Sequence, residues 1–221
     1  MAAMNHPTLS WTEAGTPVAT DFDDPYFTGG LDEVRHVFLA GNDLPGRLRD
    51  GFHVAELGFG TGLNLLALAQ IWQGGGTLRF TSFEAYPMHP ADMARALAPF
   101  GLSQTQDMVD QWAASRGALR RMTLPGLNVQ VVIGDARDTL RDWTGRADAW
   151  FLDGFAPARN PQLWGEDLMI EVARHTAAGG SVATYTAAGH VRRGLAKGGF
   201  AVSRVPGFGR KKHMTTGRFH G

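Results

Sequence analysis

The segment Phe52-His-Val-Ala-Glu-Leu-Gly-Phe-Gly-Thr-Gly-Leu63 joins an apolar run to a glycine-rich turn and the start of a helical pattern. Residues 52–57 predict a buried strand, and residues 63–72 have the apolar spacing of a helix. A turn without side chains lets a ligand approach the backbone, and the first amides of the following helix point into the same space. The segment therefore predicts the first strand, ligand-binding loop and helix of an α/β fold.

The rest of the chain repeats this alternation of strand-like and helix-like patterns. Apolar strand-like runs follow at residues 77–83, 129–133, 147–152, 181–185 and 200–205, with a weaker one at 213–219. Helical spacing occupies residues 91–100 and 161–175. Strands that alternate with helices pair in parallel and carry helices on both faces. We therefore predict one domain over residues 1–221, with an α/β, Rossmann-like, doubly wound sheet.

Two segments are additions to a minimal version of this fold. Residues 1–49 form an N-terminal extension, and its centre, Asp21-Phe-Asp-Asp-Pro-Tyr-Phe27, combines three carboxylates with three aromatic rings. Residues 101–126 form an insertion between the second and third strands, which we predict to be helical. Such additions either carry substrate choice or only cover exposed core.

Composition excludes several classes of protein. With 221 residues and 43% hydrophobic content, the chain can bury one sizeable core. No window approaches about eighteen apolar residues, and residues 1–20 lack a secretory pattern, so we expect a cytoplasmic protein without a membrane segment. Because the chain has no cysteine and no histidine pair with ligand spacing, we expect neither a disulfide nor a metal.

Charge is distributed unevenly although the formal net charge is zero. Residues 172–221 contain nine Lys and Arg residues and no Asp or Glu. Clustered cations attract phosphate groups and release their counterions. The basic end indicates either an anionic partner or a solvated basic surface.

The glycine loop, Gly58, Gly60 and Gly62, does not define its ligand alone, because dinucleotide-binding folds and ordinary tight turns use similar loops. Its spacing here is G-x-G-x-G rather than G-x-G-x-x-G, and an acid, Glu56, stands at its start. That combination favours S-adenosylmethionine as the cofactor. We expect Glu56 to hold the methionine ammonium of this cofactor, directly or through water.

Acidic residues after the next two strands support the same cofactor. Glu84 ends the second strand, where a carboxylate is placed to accept the two ribose hydroxyls of a nucleoside. After the third strand, Asp135 and the Ala136 amide are placed to contact the adenine amine and ring nitrogen. The alternative for Glu84 is an ordinary solvent-exposed residue at a strand end.

The fourth strand runs into a proline-rich loop, residues 153–161, that begins with Asp153 and Gly154. An acid, the aromatic Phe155 and a rigid loop at the carboxyl edge of the sheet predict an acceptor pocket. Asp153 is alternatively only a helix cap.

Several motifs together resemble the methyltransferase domain of the MnmC-type tRNA wobble-uridine modification enzymes, and they cover nearly the whole chain. These motifs are Phe22-Asp-Asp-Pro-Tyr-Phe27, Val37-Phe-Leu-Ala-Gly-Asn42, Glu56-Leu-Gly-Phe-Gly-Thr-Gly-Leu-Asn64, Ser82-Phe-Glu-Ala-Tyr-Pro87, Asp148-Ala-Trp-Phe-Leu-Asp-Gly-Phe-Ala-Pro-Ala-Arg-Asn-Pro161, Val191-Arg-Arg-Gly-Leu195 and Gly207-Phe-Gly-Arg-Lys211. The resemblance adds Asn64 and Tyr86 to the expected cofactor-binding residues, together with Asp153. It places Arg159 among the substrate-binding residues, although family members often have Lys there.

The resemblance implies transfer of a methyl group from S-adenosylmethionine to the amine of 5-aminomethyl-2-thiouridine at the tRNA wobble position. The product is 5-methylaminomethyl-2-thiouridine. In two-domain members a flavin-dependent oxidase domain follows and first removes a carboxymethyl group. This chain ends at Gly221 without one, so we expect a stand-alone enzyme or an excised domain that depends on a separate oxidase.

In the resulting hypothesis, Asp153 is the catalytic residue that orients the amine by hydrogen bonding and relays a proton. Phe155, Tyr26 and Trp164 are expected to supply apolar walls that favour the neutral amine. The substrate-binding residues Asp23, Asp24 and Tyr26 of the extension either close the pocket or form an Asx-type turn with packed aromatics.

The basic end is then the expected tRNA surface. Phosphate contacts are assigned to five residues, Arg192, Arg193, Arg210, Lys211 and Lys212. Tight packing on the core explains the glycines of residues 207–209 equally well. Two alternative functions stay open, a small-molecule amine or carboxylate methyltransferase and a non-catalytic S-adenosylmethionine-binding partner of an oxidase.

Overall fold

The computed structural model describes residues 6–221, so the first five residues of the predicted extension lie outside the described part. The strands form a small sheet in the extension and a large central sheet. The extension strands are β1 (Leu9–Trp11), β2 (Pro17–Ala19) and β3 (Asp24–Pro25). The central strands are β4 (His53–Leu57), β5 (Leu78–Glu84), β6 (Leu119–Leu124), β7 (Leu127–Ile133), β8 (Ala147–Leu152), β9 (Thr176–Thr184), β10 (Phe200–Pro206) and β11 (His213–Phe219).

Short helices connect these strands. The α-helices are α1 (Gly30–Val34), α2 (Leu63–Ile71), α3 (Pro90–Leu97), α4 (Thr105–Ala114), α5 (Ala136–Asp142), α6 (Glu166–Arg174) and α7 (Gly189–Gly198). A π-helical turn (Arg35–Leu39) continues α1, and 3₁₀ turns cover Ala40–Asn42, Ala98–Phe100 and Pro161–Trp164. Within residues 6–221, no helix is long and apolar enough to cross a membrane.

The central sheet has the order β10-β11-β9-β8-β4-β5-β7-β6. Strands β7, β5, β4, β8 and β9 pair in parallel, whereas β11 and β6 are antiparallel to their neighbours. Both faces of the sheet are covered. One hydrophobic cluster packs β4, β5 and β7 under α2, α3 and α4, and the other packs β4, β8 and β9 against α5, α6 and α7. The predicted doubly wound α/β fold is confirmed.

Two strands differ from the predicted pattern. Strand β9 begins at Thr176 rather than at residue 181. The sequence pattern places its start too late because the glycine pair at 179–180 has the composition of a turn. The insertion contains the helix α4, as predicted, but also β6, which extends the sheet beyond β7. Arg120 interrupts the apolar alternation of β6, yet it is buried with its guanidinium 4.0 Å from the Trp112 ring centroid.

The extension is fastened to the central sheet by a buried polar side chain. Asn42 is fully buried, and its Nδ2 donates hydrogen bonds to the carbonyls of Phe38 (2.9 Å) and Trp150 (3.2 Å). The Ser181 hydroxyl donates to Asn42 Oδ1 at 2.5 Å. Because buried polar groups need partners, these bonds fix the path of the chain before β4. The extension is therefore positioned to contribute to the edge where the strands end.

Candidate active site

A cavity of about 250 Å³ lies at the carboxyl edge of β4, β5, β7 and β8. It gathers predicted residues from the extension and from each of these strand ends. Those that line it are Asp24, Tyr26, Gly58, Gly60, Asn64, Glu84, Tyr86, Asp135, Ala136, Asp153, Phe155 and Lys211. Parallel strands end at one edge of a sheet, so residues distant in the chain meet there.

The glycine loop forms one wall of this cavity. A Cβ atom on Gly58 would lie 3.3 Å from the Asp153 carbonyl oxygen, and one on Gly60 would lie 3.1 Å from the Tyr26 ring. Both residues also have positive φ angles of 86° and 53°, which favour glycine. Gly62 does not line the cavity. Its φ of 82° favours glycine, and a Cβ there would meet the Met108 side chain at 2.8 Å.

Glu84 holds the glycine loop in place. Its Oε2 accepts a hydrogen bond from the Gly60 amide at 2.8 Å, and its Oε1 accepts one from the Tyr86 amide at 2.7 Å. Burial raises the pKa of Glu84, while these amides oppose the rise. Each carboxylate oxygen has a second acceptor position, so two ribose hydroxyls still have possible partners.

Asp135 caps α5 and forms an ion pair with its own helix. Its carboxylate accepts hydrogen bonds from the Arg137 amide (2.9 Å) and from Arg137 Nη2 (2.6 Å). Hydrogen bonding to this guanidinium lowers the pKa of Asp135. An acid held in this way stays ionised next to the Ala136 amide at the first turn of α5, where adenine was expected.

Glu56 occupies a different place from the one expected, because it is fully buried and does not line the cavity. Its two oxygens accept hydrogen bonds from Ser82 Oγ (2.7 Å) and Asn64 Nδ2 (2.8 Å). The same Nδ2 donates to Asp153 Oδ2 at 2.8 Å. Burial raises the pKa of Glu56 well above its ordinary value. In this structure Glu56 therefore positions Asn64, and through it Asp153, while its contact with the cofactor ammonium through water stays a prediction.

Asp153 faces the cavity directly after β8. Its Oδ1 accepts a hydrogen bond from the Gly154 amide at 2.8 Å, in addition to the bond from Asn64. Burial raises its pKa from 3.8 to about 6, although both donors act in the opposite direction. A carboxylate with this pKa exchanges protons close to neutral pH, which suits a group that orients an amine and relays its proton.

Aromatic rings from the extension and from the proline-rich loop of residues 153–161, here called the acceptor loop, form the wall beside Asp153. The Phe155 ring stacks on Phe22 with centroids 4.4 Å apart, and Tyr26 packs edge-on at 5.2 Å. Trp164 is placed differently from the expected apolar wall. It is buried under the loop, where its Nε1 donates to the Phe155 carbonyl at 2.8 Å.

Asp23 and Asp24 of the extension bind the acceptor loop in different ways. Asp24 Oδ2 accepts a hydrogen bond from the Ala156 amide at 2.7 Å and lines the cavity. Asp23 and Arg159 lie outside the cavity lining and form an exposed ion pair at 2.8 Å. The extension therefore joins the loop, with Asp24 facing inward and Asp23 outward.

The predicted phosphate contacts divide into two groups. Lys211 lines the cavity, whereas four others, Arg192, Arg193, Arg210 and Lys212, do not. Two residues that the sequence patterns did not single out, Glu33 and Tyr185, also line the cavity, and both lie close to Lys211.

Acidic groups outnumber basic groups around the cavity. The charged residues that line it are Asp24, Glu33, Glu84, Asp135 and Asp153, with Arg137 and Lys211. Asp135 pairs with Arg137, and Glu33 pairs with Lys211. The remaining carboxylates give the cavity a negative field that favours cationic ligands.

Comparison with known proteins agrees with this geometry. The model of one protein family, S-adenosyl-L-methionine-dependent methyltransferases, matches residues 102–220, more than half of the chain. The chain belongs to this methyltransferase family. The methyltransferase is also 42% identical, over all of its length, to the bifunctional tRNA 5-methylaminomethyl-2-thiouridine biosynthesis protein MnmC of Pseudomonas aeruginosa. The protein of the same name from Caulobacter sp. strain K31 is 44% identical over 95% of the chain.

The methyltransferase spans 36% and 38% of the length of these two curated relatives. Among solved structures, MnmC2 from Aquifex aeolicus superposes with a TM-score of 0.77 and 22% identity, covering 98% of this chain and 71% of that one. The structural likeness supports the fold, and the sequence similarity confirms the resemblance to the MnmC methyltransferase domain.

The cavity of the methyltransferase fits its cofactor, S-adenosylmethionine. The absence of side chains at Gly58 and Gly60 leaves room along the loop, since a Cβ at either position would crowd Asp153 or Tyr26. Glu84, Asp135 and the Ala136 amide are the groups that would hold the nucleoside. The negative field suits a ligand that carries a sulfonium and an ammonium.

The pH dependence of methyl transfer should report the ionisation of Asp153. If its carboxylate acts on the amine, kcat/KM falls as the pH drops through about 6, the pKa of Asp153. Replacing Asn64 by Ala removes a donor that stabilises the carboxylate, so the midpoint of this acidic limb should move to higher pH. The measurement is kcat/KM from pH 5 to 9 for both proteins. A midpoint unchanged in Asn64→Ala would show that Asp153 does not set the limb.

Proposed function

We propose that the methyltransferase methylates the primary amine of 5-aminomethyl-2-thiouridine at the tRNA wobble position, giving 5-methylaminomethyl-2-thiouridine. The observation that carries this proposal is the placement of Asp153 in an acidic cavity beside an aromatic wall. The names of the MnmC relatives, which match the chain over nearly its full length, supply the nucleoside.

In this proposal the residues around Asp153 prepare the amine. Its carboxylate accepts a hydrogen bond from one N–H of the amine and so orients the nitrogen lone pair for methyl transfer. Because a carboxylate also favours the ammonium form, Phe155 and Tyr26 have to exclude water and favour the neutral amine. S-adenosylmethionine, when bound, supplies an electrophilic methyl group, and the methylated ammonium then releases one proton. Asp153 accepts that proton, because its pKa of about 6 allows it to pass the proton on to water.

We infer that the tRNA backbone binds the basic residues outside the cavity. Arg193, Arg210 and Lys212 are exposed, and Arg192 is half-buried at the start of α7. Exposed cations of this kind contribute affinity that falls as the salt concentration rises.

We further infer that residues 1–221 act as one domain in the cytoplasm. A flavin-dependent oxidase, separate or fused, supplies the aminomethyl group in this proposal.

The test is to incubate the protein with labelled S-adenosylmethionine and tRNA from cells that lack this methylation, then identify the labelled nucleoside by mass spectrometry. We expect label only in 5-methylaminomethyl-2-thiouridine. The control is tRNA that carries no aminomethyl group, which should stay unlabelled.

Transfer to small amines without tRNA would instead support the small-molecule alternative. Cofactor binding without any transfer to the aminomethyl tRNA would support the non-catalytic alternative. Either result contradicts the proposed substrate.

A further inference from the structure

The ammonium group of Lys211 lies in the cavity, where it has two side-chain partners. Its Nζ is 3.1 Å from Glu33 Oε1 and 3.8 Å from the centroid of the Tyr185 ring. A cation seated on an aromatic face and paired with a carboxylate has a defined position. The neighbouring Arg210 and Lys212 are exposed. Lys211 therefore differs from Arg210 and Lys212, although the sequence pattern predicts phosphate contacts for all three residues.

Its partner Glu33 is fixed by the turn before α1. Glu33 Oε2 accepts hydrogen bonds from the Gly29 amide (2.9 Å) and from Thr28 Oγ1 (3.1 Å), and the side chain is 11% exposed. Burial alone would raise the pKa of Glu33, but the Gly29 amide, Lys211 and Thr28 together lower it. The pair thus presents an ionised acceptor beside an ionised donor in the same cavity.

This pair lies on the acceptor side of the cavity. Tyr185, which carries the Lys211 ammonium on its ring, donates a hydrogen bond from its hydroxyl to the Gly154 carbonyl at 2.7 Å. Gly154 directly follows Asp153. The charges of Glu33 and Lys211 both act on Asp153. Within residues 6–221, the side-chain hydrogen bonds of Glu33 and Lys211 go to each other and to residues 28–29, not to the glycine loop.

We propose that Glu33 and Lys211 recognise the hydrogen-bonding edge of the acceptor base, with Lys211 donating to a ring carbonyl and Glu33 accepting from a ring N–H. This inference rests on the proposed function. A 5-aminomethyl uracil presents an amine donor, the adjacent 4-carbonyl acceptor and then the N3–H donor. Asp153, Lys211 and Glu33 present the complementary acceptor, donor and acceptor groups.

The same groups disfavour a cytosine ring. Cytosine has an amino donor in place of the 4-carbonyl and a lone pair in place of N3–H. The amino group would face the Lys211 ammonium, and the lone pair would face the Glu33 carboxylate. Both pairings leave polar groups in the cavity without partners, and a site built for hydrogen bonding rejects such a ligand.

The experiment compares kcat/KM for tRNA with 5-aminomethyl-2-thiouridine or 5-aminomethyl-2-thiocytidine at the wobble position. We expect the wild-type protein to prefer uridine by about 100-fold or more, and Lys211→Met to reduce this preference by about 10-fold or more. Met keeps the apolar stem on Tyr185 but removes the donor. Glu33→Gln should also reduce the preference, with thermal unfolding measured to verify its fold. Lys212→Met is the matched control at an exposed neighbouring position and should keep the wild-type preference.

The outcomes separate this inference from the function on which it rests. If the wild-type protein methylates neither tRNA, the proposed function fails. If it methylates uridine but shows no base preference, or if Lys211→Met keeps the preference, only the inference fails. A Lys211→Met protein that keeps the preference but binds S-adenosylhomocysteine more weakly would assign Lys211 to the cofactor. A kept preference with weaker and less salt-dependent tRNA binding would assign it to a phosphate.

Discussion

Replacing Asp153 by Asn is expected to lower kcat for methyl transfer about 1000-fold, within the range that a positioned proton-transfer group contributes. The amide cannot take a proton, and it turns an N–H donor toward the donors that now bind the carboxylate, Asn64 and Gly154. Cofactor affinity should change little, because the nucleoside contacts are assigned to other residues. The measurements are single-turnover methylation of aminomethyl tRNA and calorimetric titration with S-adenosylhomocysteine.

The fold should survive this change, so a loss of activity has a chemical cause. Burial raises the pKa of Asp153 from 3.8 to about 6, so the folded state holds this proton more tightly than the unfolded chain. The stability from this group is present below pH 3.8 and is lost as the pH rises through about 6. At pH 7 the charge opposes folding, and its removal offsets the hydrogen bond that the amide cannot accept from Asn64 or Gly154, so the melting temperature of Asp153→Asn should stay close to that of the wild type.

Asp24→Asn is the matched control for this variant. Asp24 also lines the cavity, but its oxygen only accepts from the Ala156 amide, and an Asn oxygen can do the same. We expect its kcat to fall by less than about 10-fold, the equivalent of one neutral hydrogen bond. Near-normal turnover by Asp153→Asn would remove Asp153 from the mechanism.

The strand-end acids could be predicted because their signal is local. Glu84, Asp135 and Asp153 each end or follow an apolar run, and parallel strands bring such positions to one edge. The structure brings all three to one cavity. No knowledge of distant packing was needed for this grouping, since the fold class alone implies it.

Glu56 shows the limit of that argument. It belongs to β4 rather than to the loop after it, and it pairs in register with Ser82 of β5 and Phe151 of β8. Inside the sheet its carboxylate meets Ser82 and Asn64 rather than the cavity. The sequence contains one signal for this placement. Side-chain direction alternates along a strand, and Glu56 stands inside the strand, directly before its last residue, Leu57.

The Glu33–Lys211 pair could not be predicted from local patterns. Its members are 178 residues apart, one in the extension and one in the turn between β10 and β11. Sequence patterns assigned Lys211 to a basic surface because its neighbours are basic, and they gave Glu33 no role. Only the tertiary fold, which places the start of α1 next to the turn between β10 and β11, brings the two residues together.

The second large effect is expected at Glu84. Glu84→Ala should weaken S-adenosylhomocysteine binding about 100-fold, since hydrogen bonds to a charged group contribute about 1.5–3 kcal/mol and tenfold in affinity equals about 1.4 kcal/mol. Titration calorimetry gives the dissociation constant. The control is Glu166→Ala on α6, whose side chain pairs with Lys197 outside the cavity and should leave the affinity unchanged.

Loss of affinity alone would not distinguish ribose binding from support of the glycine loop, because Glu84 also accepts from the Gly60 and Tyr86 amides. A cofactor analogue that lacks the ribose 2′-hydroxyl separates the two. If Glu84 binds that hydroxyl, the wild type should bind the analogue about 10-fold more weakly, whereas Glu84→Ala should bind both ligands equally. If the variant keeps the wild-type sensitivity to the hydroxyl, Glu84 acts only on the loop, and the ribose has another partner.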